Sequence, residues 1–161
     1  MKEWVREAVF NLIGTNVAGK HAIDLFAGTG ALGLEAISRG AARATFIEQH
    51  FPTADLIKQN IQQFGISQPC TIVPGNTFIW AKRALESGSE PWIIFCSPPY
   101  VFYVDRKAEM LEMIVAFLDR APPESIFVVE ADERFDFAEL PRAEEWDVRE
   151  YPPATVGILH L

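Results

Sequence analysis

The sequence predicts an α/β domain whose sheet is mostly parallel and is covered by helices on both faces. Short apolar runs of strand length alternate with longer amphipathic segments along the chain, which is the pattern of strand–helix–strand units. A glycine-rich turn, Gly28-Thr29-Gly30, joins the first predicted strand to a helix. Near the end, only Pro152-Pro153 separates two strand-like runs. That link is too short for a parallel crossover, so these two strands are expected to be antiparallel neighbours.

The elements follow from apolar spacing and from the glycines and prolines that end them. Helices are predicted at residues 2–13, 31–38, 54–64, 77–85 and 108–118, with a short helix at 135–140. Gly65 and Gly88 end two of these helices, and Pro122-Pro123 stops the helix at 108–118. Strands are predicted at residues 21–26, 44–48, 71–73, 92–95, 126–129, 146–151 and 155–161. The result is a seven-stranded sheet with an antiparallel C-terminal strand.

Length and composition indicate one domain over residues 1–161, with a leading helical segment at 1–14. Domains commonly span ~100–200 residues, and a hydrophobic content of 49% excludes a disordered chain. No apolar stretch is long enough to span a membrane, and the charged N-terminal segment is unlike a signal peptide. Cys70 and Cys96 lie in apolar surroundings and form no disulfide framework. We therefore expect reduced cysteines and a cytoplasmic protein.

The glycine-rich turn has the spacing of a nucleoside-binding motif. Gly28, Gly30 and Gly33 match the dinucleotide fingerprint, and Glu48 follows 20 positions after Gly28 at the end of the next strand. Glycines let a ligand approach the backbone, and an acid at that distance accepts hydrogen bonds from ribose hydroxyls. The alternative is a structural turn that binds nothing. Strand, turn and helix together favour a nucleoside-bearing ligand.

Asp24 distinguishes between the possible nucleosides. Dinucleotide-binding strands usually carry an apolar residue at this position, whereas a carboxylate suits the ammonium group of a methionine moiety. Asp24-Leu-Phe-Ala-Gly-Thr-Gly therefore resembles the first motif of the S-adenosylmethionine-dependent methyltransferases. A turn acceptor is the alternative role for Asp24. Phe26 lines the ligand pocket or is a core aromatic. A nicotinamide oxidoreductase is disfavoured, since the chain has no substrate domain.

A second motif, Ser97-Pro98-Pro99-Tyr100, closes the fourth predicted strand. Two prolines stiffen the backbone and leave their carbonyls facing the crevice as acceptors, while the aromatic ring offers a stacking face for a base. Methyltransferases that act on exocyclic or amide nitrogens carry Asp-Pro-Pro-Tyr/Phe or Asn-Pro-Pro-Tyr here. Such acceptors orient the nitrogen and stabilise its developing charge. The alternative is that the two prolines form only a rigid exit from the strand.

Ser97 departs from that pattern because its hydroxyl is uncharged and donates a hydrogen bond as well as accepting one. Charge-assisted hydrogen bonds are about twice as strong as neutral ones. Either Ser97 is a weaker substitute for the acid, or the chain binds its cofactor without efficient transfer. In the first case, Ser97→Asp should raise the transfer rate.

With both motifs in place, the chain resembles the RsmD-like family, the guanine-N2 methyltransferases of small-subunit ribosomal RNA. The resemblance covers nearly the whole chain. Residues 5–12 are similar to the family's leading helix, residues 24–41 to its cofactor motif and residues 46–48 to its acidic strand. Glu130 follows the fifth predicted strand as it does in relatives.

The resemblance implies a Rossmann-like class I methyltransferase fold and S-adenosylmethionine as the cofactor. It implies that Asn76 contacts the adenine, and that the catalytic residues hold a guanine amino group. The predicted cofactor-binding residues are Asp24, Phe26, Ala27, Gly28, Thr29, Gly30, Glu48 and Asn76. The predicted catalytic residues are Ser97, Pro98, Pro99 and Tyr100. The implied partner is ribosomal RNA or the small ribosomal subunit, and we expect a monomer without a metal.

Two further departures from the family leave a second interpretation open. Relatives usually begin with a segment rich in Arg and Gly, whereas this sequence begins at the leading helix and has no such basic extension. The net charge is −8, although nucleic-acid binders usually present a basic face. The alternative function is therefore a catalytically degenerate methyltransferase-fold protein that binds without transfer.

Overall fold

The computed structural model describes residues 1–83 and 89–161, and these residues form one seven-stranded sheet with the strand order β3-β2-β1-β4-β5-β7-β6. The strands are β1 (His21–Asp24), β2 (Arg43–Glu48), β3 (Cys70–Pro74), β4 (Trp92–Cys96), β5 (Ile126–Asp132), β6 (Asp147–Tyr151) and β7 (Ala154–His160). Strands β1 to β5 pair in parallel, and β7 pairs antiparallel with both β5 and β6. The predicted fold class and the antiparallel end are confirmed.

Six helices cover the sheet in the described part of the chain. They are α1 (Glu3–Ile13), α2 (Ala31–Ser38), α3 (Phe51–Gln63), α4 (Thr77–Arg83), α5 (Phe102–Asp105) and α6 (Lys107–Arg120). Shorter 3-10 turns occupy Gly14–Val17, Phe137–Glu139 and Ala143–Glu145. None of these helices is long and apolar enough to span a membrane.

The helices lie on two faces because successive strand residues point to opposite sides of the sheet. Phe46 packs in the core cluster beneath α1, α2 and α3, whereas its neighbour Ile47 packs in the cluster beneath α4 and α6. Ile93 and Ile94 alternate in the same way. The sheet is thus buried on both sides, as parallel sheets usually are.

Several predicted boundaries differ from the structure. Strand β1 ends at Asp24 rather than at 26, so residues 25 and 26 begin the glycine-rich turn. Helix α3 begins three residues before the predicted start, with Pro52 in its first turn, where proline is tolerated. The short helix predicted at 135–140 is only a 3-10 turn. The predicted helix end at Leu85 and the break at Gly88 lie outside the described residues.

Two further differences lie around the Ser97–Tyr100 motif and the strand next to it. The structure adds α5 just after the Ser97–Tyr100 motif, where no helix is predicted. Strand β5 runs to Asp132 rather than to 129, because β7 continues to pair with it as far as the Asp132–Ala154 position. Glu130 therefore lies inside a strand instead of following one.

Candidate functional site

The residues predicted to bind a cofactor come together because parallel strands end at the same edge of the sheet. Asp24 and Glu48 are the last residues of β1 and β2, and Ser97 directly follows β4. Asn76 lies two residues after β3. Strands β2, β1 and β4 are adjacent in the sheet, so Glu48, Asn76 and Ser97 line one crevice at the carboxyl ends. Asp24 is buried at the same edge of the sheet. In open α/β sheets this is where ligands bind.

The crevice consists of two adjoining cavities of about 330 Å³ and 190 Å³. Phe26, Gly28 and Ser97 line both of them. The larger cavity is also lined by Glu48, Asn76, Pro98 and Pro99, and the smaller by Ala27 and Thr29. Among the predicted site residues, Asp24, Gly30 and Tyr100 line neither cavity. The combined space suits a ligand of cofactor size, since ligand pockets commonly measure about 300–1,000 Å³.

Glu48 lines the larger cavity and accepts two backbone hydrogen bonds. Its Oε2 accepts the Gly28 backbone N–H at 2.8 Å, and its Oε1 accepts the His50 N–H at 2.8 Å. A carboxylate has about four lone-pair positions, so two acceptor positions remain for a ligand. The same side chain therefore holds the glycine turn in shape and can receive hydroxyl groups from a ribose.

Asp24 is buried, with its carboxyl group only partly satisfied. Its Oδ2 accepts the Gly33 N–H at 3.1 Å, while Oδ1 has no hydrogen-bond partner among the described residues. Burial raises the pKa of Asp24 from 3.8 to about 7, and the Gly33 hydrogen bond opposes that rise. A buried carboxylate oxygen without a partner costs free energy. The site is therefore incomplete until a cationic group or another donor reaches it.

The three glycines of the turn have different physical roles. Gly28 has φ of +54°, and no atom lies within 4 Å of the position that a Cβ would occupy there. Its side-chain position is thus open crevice, which a ligand can fill. At Gly33 a Cβ would lie 2.4 Å from Phe46 Cε1, so this glycine is required for α2 to pack against β2. Gly30 combines a φ of +86° with a tight fit against Ile57 and Phe46.

An aromatic cluster forms another wall of the larger cavity. Phe26 packs on Phe78 and Phe102 with ring centroids 6.0 Å and 5.9 Å away, and all three residues line the cavity. Phe26 is thus a cavity-lining residue and also part of a packed cluster. Asn76 has a similar double role, because its Oδ1 accepts the Ile79 N–H in the first turn of α4 while the residue faces the cavity.

The Ser97-Pro98-Pro99-Tyr100 motif is built differently from the sequence prediction. The Pro99 carbonyl accepts the Phe102 N–H at 2.9 Å and so starts α5, which corrects the expectation that both proline carbonyls face the crevice. Tyr100 lines neither cavity, and its hydroxyl donates to Glu130 Oε1 at 2.8 Å. Ser97 Oγ donates to the other oxygen of Glu130. Burial and this carboxylate raise the pKa of Tyr100.

Glu130 is the principal residue of this site that had no predicted role. It is 1% exposed and forms an ion pair with the amino group of Met1, whose nitrogen is 3.4 Å from Oε2. Cys96 pairs with Val129 across the parallel β4–β5 ladder, so Ser97 and Glu130 are side by side. The available signal was one acid interrupting an apolar run, Ile126 to Ala131.

Within residues 1–83 and 89–161, no group of three or more His, Cys, Asp or Glu side chains could hold a metal ion.

Comparison with known proteins identifies the family. A family model described as Conserved hypothetical protein 95 matches residues 1–156. YlbH of Bacillus subtilis is 30% identical over 119 residues, which are 71% of this chain and 59% of that protein. Ribosomal RNA small subunit methyltransferase D of Buchnera aphidicola is 37% identical over 96 residues, 60% of this chain and 49% of that protein. The chain thus matches about half of the length of these curated relatives.

Solved structures agree with this result. The Escherichia coli protein YhhF superposes with a TM-score of 0.80 at 25% identity, covering 99% of this chain and 86% of that one. A Thermus thermophilus 16S rRNA N2 G1207 methyltransferase, crystallised with AdoMet and guanosine, superposes with a TM-score of 0.74 at 18% identity. That match covers 98% of this chain and 42% of the other, and it supports the fold alone. The chain therefore belongs to the RsmD-like family, whose fold is that of the class I S-adenosylmethionine-dependent methyltransferases.

Proposed function

We propose that this protein transfers a methyl group from S-adenosylmethionine to the exocyclic N2 amine of a guanine in small-subunit ribosomal RNA. The observation that carries the proposal is the shared crevice. It brings the cofactor motif of β1 and β2 into one space with Ser97-Pro98-Pro99 at the end of β4. A cofactor held by the first motif would thus face a substrate held by the second.

The cofactor-binding part of the proposal assigns a role to each residue. The ammonium of the methionine moiety would neutralise Asp24 and give Oδ1 its missing partner, directly or through water. The open position beside Gly28 would accommodate ligand atoms against the backbone. Glu48 would receive the ribose hydroxyls, and the free amide hydrogens of Asn76 would face the adenine edge. Once bound, S-adenosylmethionine supplies a methyl group on a positively charged sulfur.

The substrate part of the proposal rests on acceptors. An exocyclic amine must be held so that its lone pair faces the methyl carbon. Ser97 Oγ and the Pro98 carbonyl are the acceptors assigned to that task, and Tyr100, which lines neither cavity, would act through its hydrogen bond to Glu130. Guanine in small-subunit RNA is favoured by the family and by the names of relatives, including methyltransferase D of Buchnera aphidicola. The Thermus thermophilus neighbour named for N2 of G1207 is a parallel case on the same fold.

The alternative, a degenerate protein that binds without transfer, loses its main support once Glu130 is considered. Ser97 is not an isolated neutral substitute, because its hydroxyl contacts a buried carboxylate. The curated relatives that carry a functional name are named as methyltransferases. The acidic composition bears on how the protein binds RNA, and it does not affect the crevice.

Two measurements test the proposed function in sequence. Calorimetric titration with S-adenosylmethionine and S-adenosylhomocysteine should give saturable one-to-one binding that Asp24→Ala weakens. Radiolabelled S-adenosylmethionine is then supplied with small subunits, and separately with naked small-subunit RNA, from cells that lack the corresponding methyltransferase. We expect label in N2-methylguanine at one position after nuclease digestion and mass spectrometry. Label on another base or atom would overturn the guanine assignment, and binding without any label would favour the degenerate protein.

A further inference from the structure

We propose that Glu130 is a positioning carboxylate that acts through Ser97, so that the two side chains together do what a single acidic residue does in the usual motif. This inference rests on the proposed function, since it concerns the amine that would enter the same crevice. It assigns a role to a residue on a different strand from the motif.

The geometry begins with the two strands. Cys96 of β4 is paired with Val129 of β5, so the residues that follow them, Ser97 and Glu130, are neighbours at the site. Ser97 Oγ donates to Glu130 Oε2, and the Tyr100 hydroxyl donates to Oε1. The Glu130 carboxylate thus accepts hydrogen bonds from the first and the last residue of the motif. Glu130 itself is 1% exposed, whereas Ser97 lines both cavities.

The hydrogen bond to Glu130 removes the ambiguity of a serine hydroxyl. A free hydroxyl can donate or accept, so alone it would hold an amine poorly. Because its proton is directed to Glu130, Ser97 Oγ presents only lone pairs to the crevice.

The same pair gives the reaction a path for its proton. In the transfer step, the amine nitrogen uses its lone pair to form the bond to the methyl carbon. The electron pair of the breaking carbon–sulfur bond stays on sulfur. The methylated nitrogen then carries one proton too many. That proton passes to Ser97 Oγ as the serine proton passes to Glu130 Oε2, and Glu130 later releases it to water. Charge on nitrogen is thereby met by the buried carboxylate.

The first experiment separates turnover from binding. Wild type, Glu130→Gln, Ser97→Ala and the double variant are compared for kcat, for KM of the RNA and for calorimetric affinity for S-adenosylmethionine. Proton transfer by a positioned group typically contributes about 10²–10⁴-fold. We expect Glu130→Gln to lower kcat by roughly 100-fold or more while KM and cofactor affinity change less than about threefold. Glu133→Gln, on an exposed neighbouring residue, is the matched control and should behave as wild type.

The second experiment moves the carboxylate from position 130 to position 97. In Ser97→Asp/Glu130→Gln the carboxylate sits on the motif itself, so kcat should recover at least about tenfold relative to Glu130→Gln. A purely structural Glu130 would give no such recovery.

A measurement without substrate or cofactor tests the pair independently. Thermal unfolding of wild type, Ser97→Ala, Glu130→Gln and the double variant should be non-additive, with the double variant losing less than the sum of the two single losses. Additive losses, a Glu130→Gln rate within about threefold of wild type, or equal losses of kcat and cofactor affinity would each overturn the proposal. Absence of transfer by the wild type would instead overturn the proposed function, and this inference with it.

Discussion

At the scale of single residues, Asp24 carries most of the information about the ligand. Its place before the glycine turn predicted a carboxylate for a methionine moiety, and the structure adds what spacing could not reveal. The carboxyl is buried, held on one oxygen by Gly33 and without a partner on the other among the described residues. Its pKa is raised to about 7 because burial disfavours the charged form. A ligand that brings a positive charge would reverse that effect.

Cofactor binding should therefore depend on pH near neutrality. If the ionised form of Asp24 binds the ammonium, affinity for S-adenosylmethionine should rise as pH rises through about 7. Below about pH 7 it should fall toward tenfold per pH unit. Calorimetric titration between pH 5.5 and 8.5 measures this dependence. Asp24→Asn should bind weakly with a flat profile, and an equally steep profile in that variant would place the titrating group elsewhere.

The same pKa shift predicts that Asp24 costs stability in the ligand-free protein. The pKa is raised in the folded state, so the contribution of Asp24 to stability is fully present below about pH 4 and is lost as pH rises through about 7. A shift from 3.8 to about 7 corresponds to a cost on the order of 4 kcal/mol. Replacing Asp24 by Asn would remove this cost, but the buried, partly unsatisfied amide of the Asn would itself cost about 1–3 kcal/mol.

Asp24→Asn should thus unfold at higher denaturant concentration than wild type at pH 8, and this advantage should shrink towards pH 4. Urea unfolding of the ligand-free proteins at both pH values provides the measurement. A variant that is less stable than wild type at pH 8 would mean that the Gly33 contact outweighs the burial of charge.

At the scale of elements, the strand–turn–helix unit was predicted well because its constraints are local. Residues 31–38 are helical as expected, and the glycines occupy positions where φ or packing requires them. The end of β4 was predicted less well. Helix α5 has only four residues, too few for an apolar period, and the extension of β5 depends on pairing with β7. Neither the helix α5 nor the full length of β5 can therefore be read from the residues of that segment alone.

The unequal roles of the glycines give a prediction at this scale. Gly33→Ala should lower stability by about 1–3 kcal/mol, because its Cβ would press on Phe46 and overpack the α2–β2 contact. Gly28→Ala has free space but a φ of +54°, so it should cost about 1–2 kcal/mol of backbone strain. It should also weaken S-adenosylmethionine binding at least about tenfold, since its methyl group enters the crevice.

Denaturant unfolding and calorimetric titration of both variants distinguish these effects. After correction for the folded fraction, Gly33→Ala should keep cofactor affinity within about threefold of wild type. If Gly33→Ala lost as much affinity as Gly28→Ala, cofactor binding would depend on the position of α2 and not on the space beside Gly28.

At the scale of the whole molecule, the sequence was sufficient for the fold and for the meeting of polar side chains at one edge of the sheet. The predicted cofactor-binding residues lie at strand ends or in the turns that follow them, and parallel strands have a common carboxyl edge, so their meeting follows from topology. The Ser97–Glu130 contact joins residues 33 positions apart. It depends on β4 and β5 being neighbours in a particular register, and no local pattern in the sequence encodes that register.

Charge is the other property of the whole molecule, and it predicts how RNA approaches. The chain has 14 Lys and Arg against 22 Asp and Glu. Many of its arginines are held in ion pairs with acids, among them Arg39, Arg43, Arg106, Arg134, Arg142 and Arg149. RNA affinity from phosphate contacts should therefore come from few cations. Lys2 is exposed and directly follows Met1 in the chain, and Met1 lines both cavities, so the positive charge of Lys2 is one residue away from the crevice lining.

Lys2→Glu should consequently lower kcat/KM for RNA by roughly three- to tenfold at low ionic strength, while cofactor affinity stays unchanged. Each lost phosphate contact should also reduce the dependence of log(kcat/KM) on log salt by about 0.7–0.9. Lys58→Glu is the matched control, because Lys58 lies on α3 and lines a separate groove. Measuring both variants across a salt series separates a local contact from net charge. Equal losses in the two variants would mean that overall repulsion, and not a phosphate contact beside the crevice, limits the encounter with RNA.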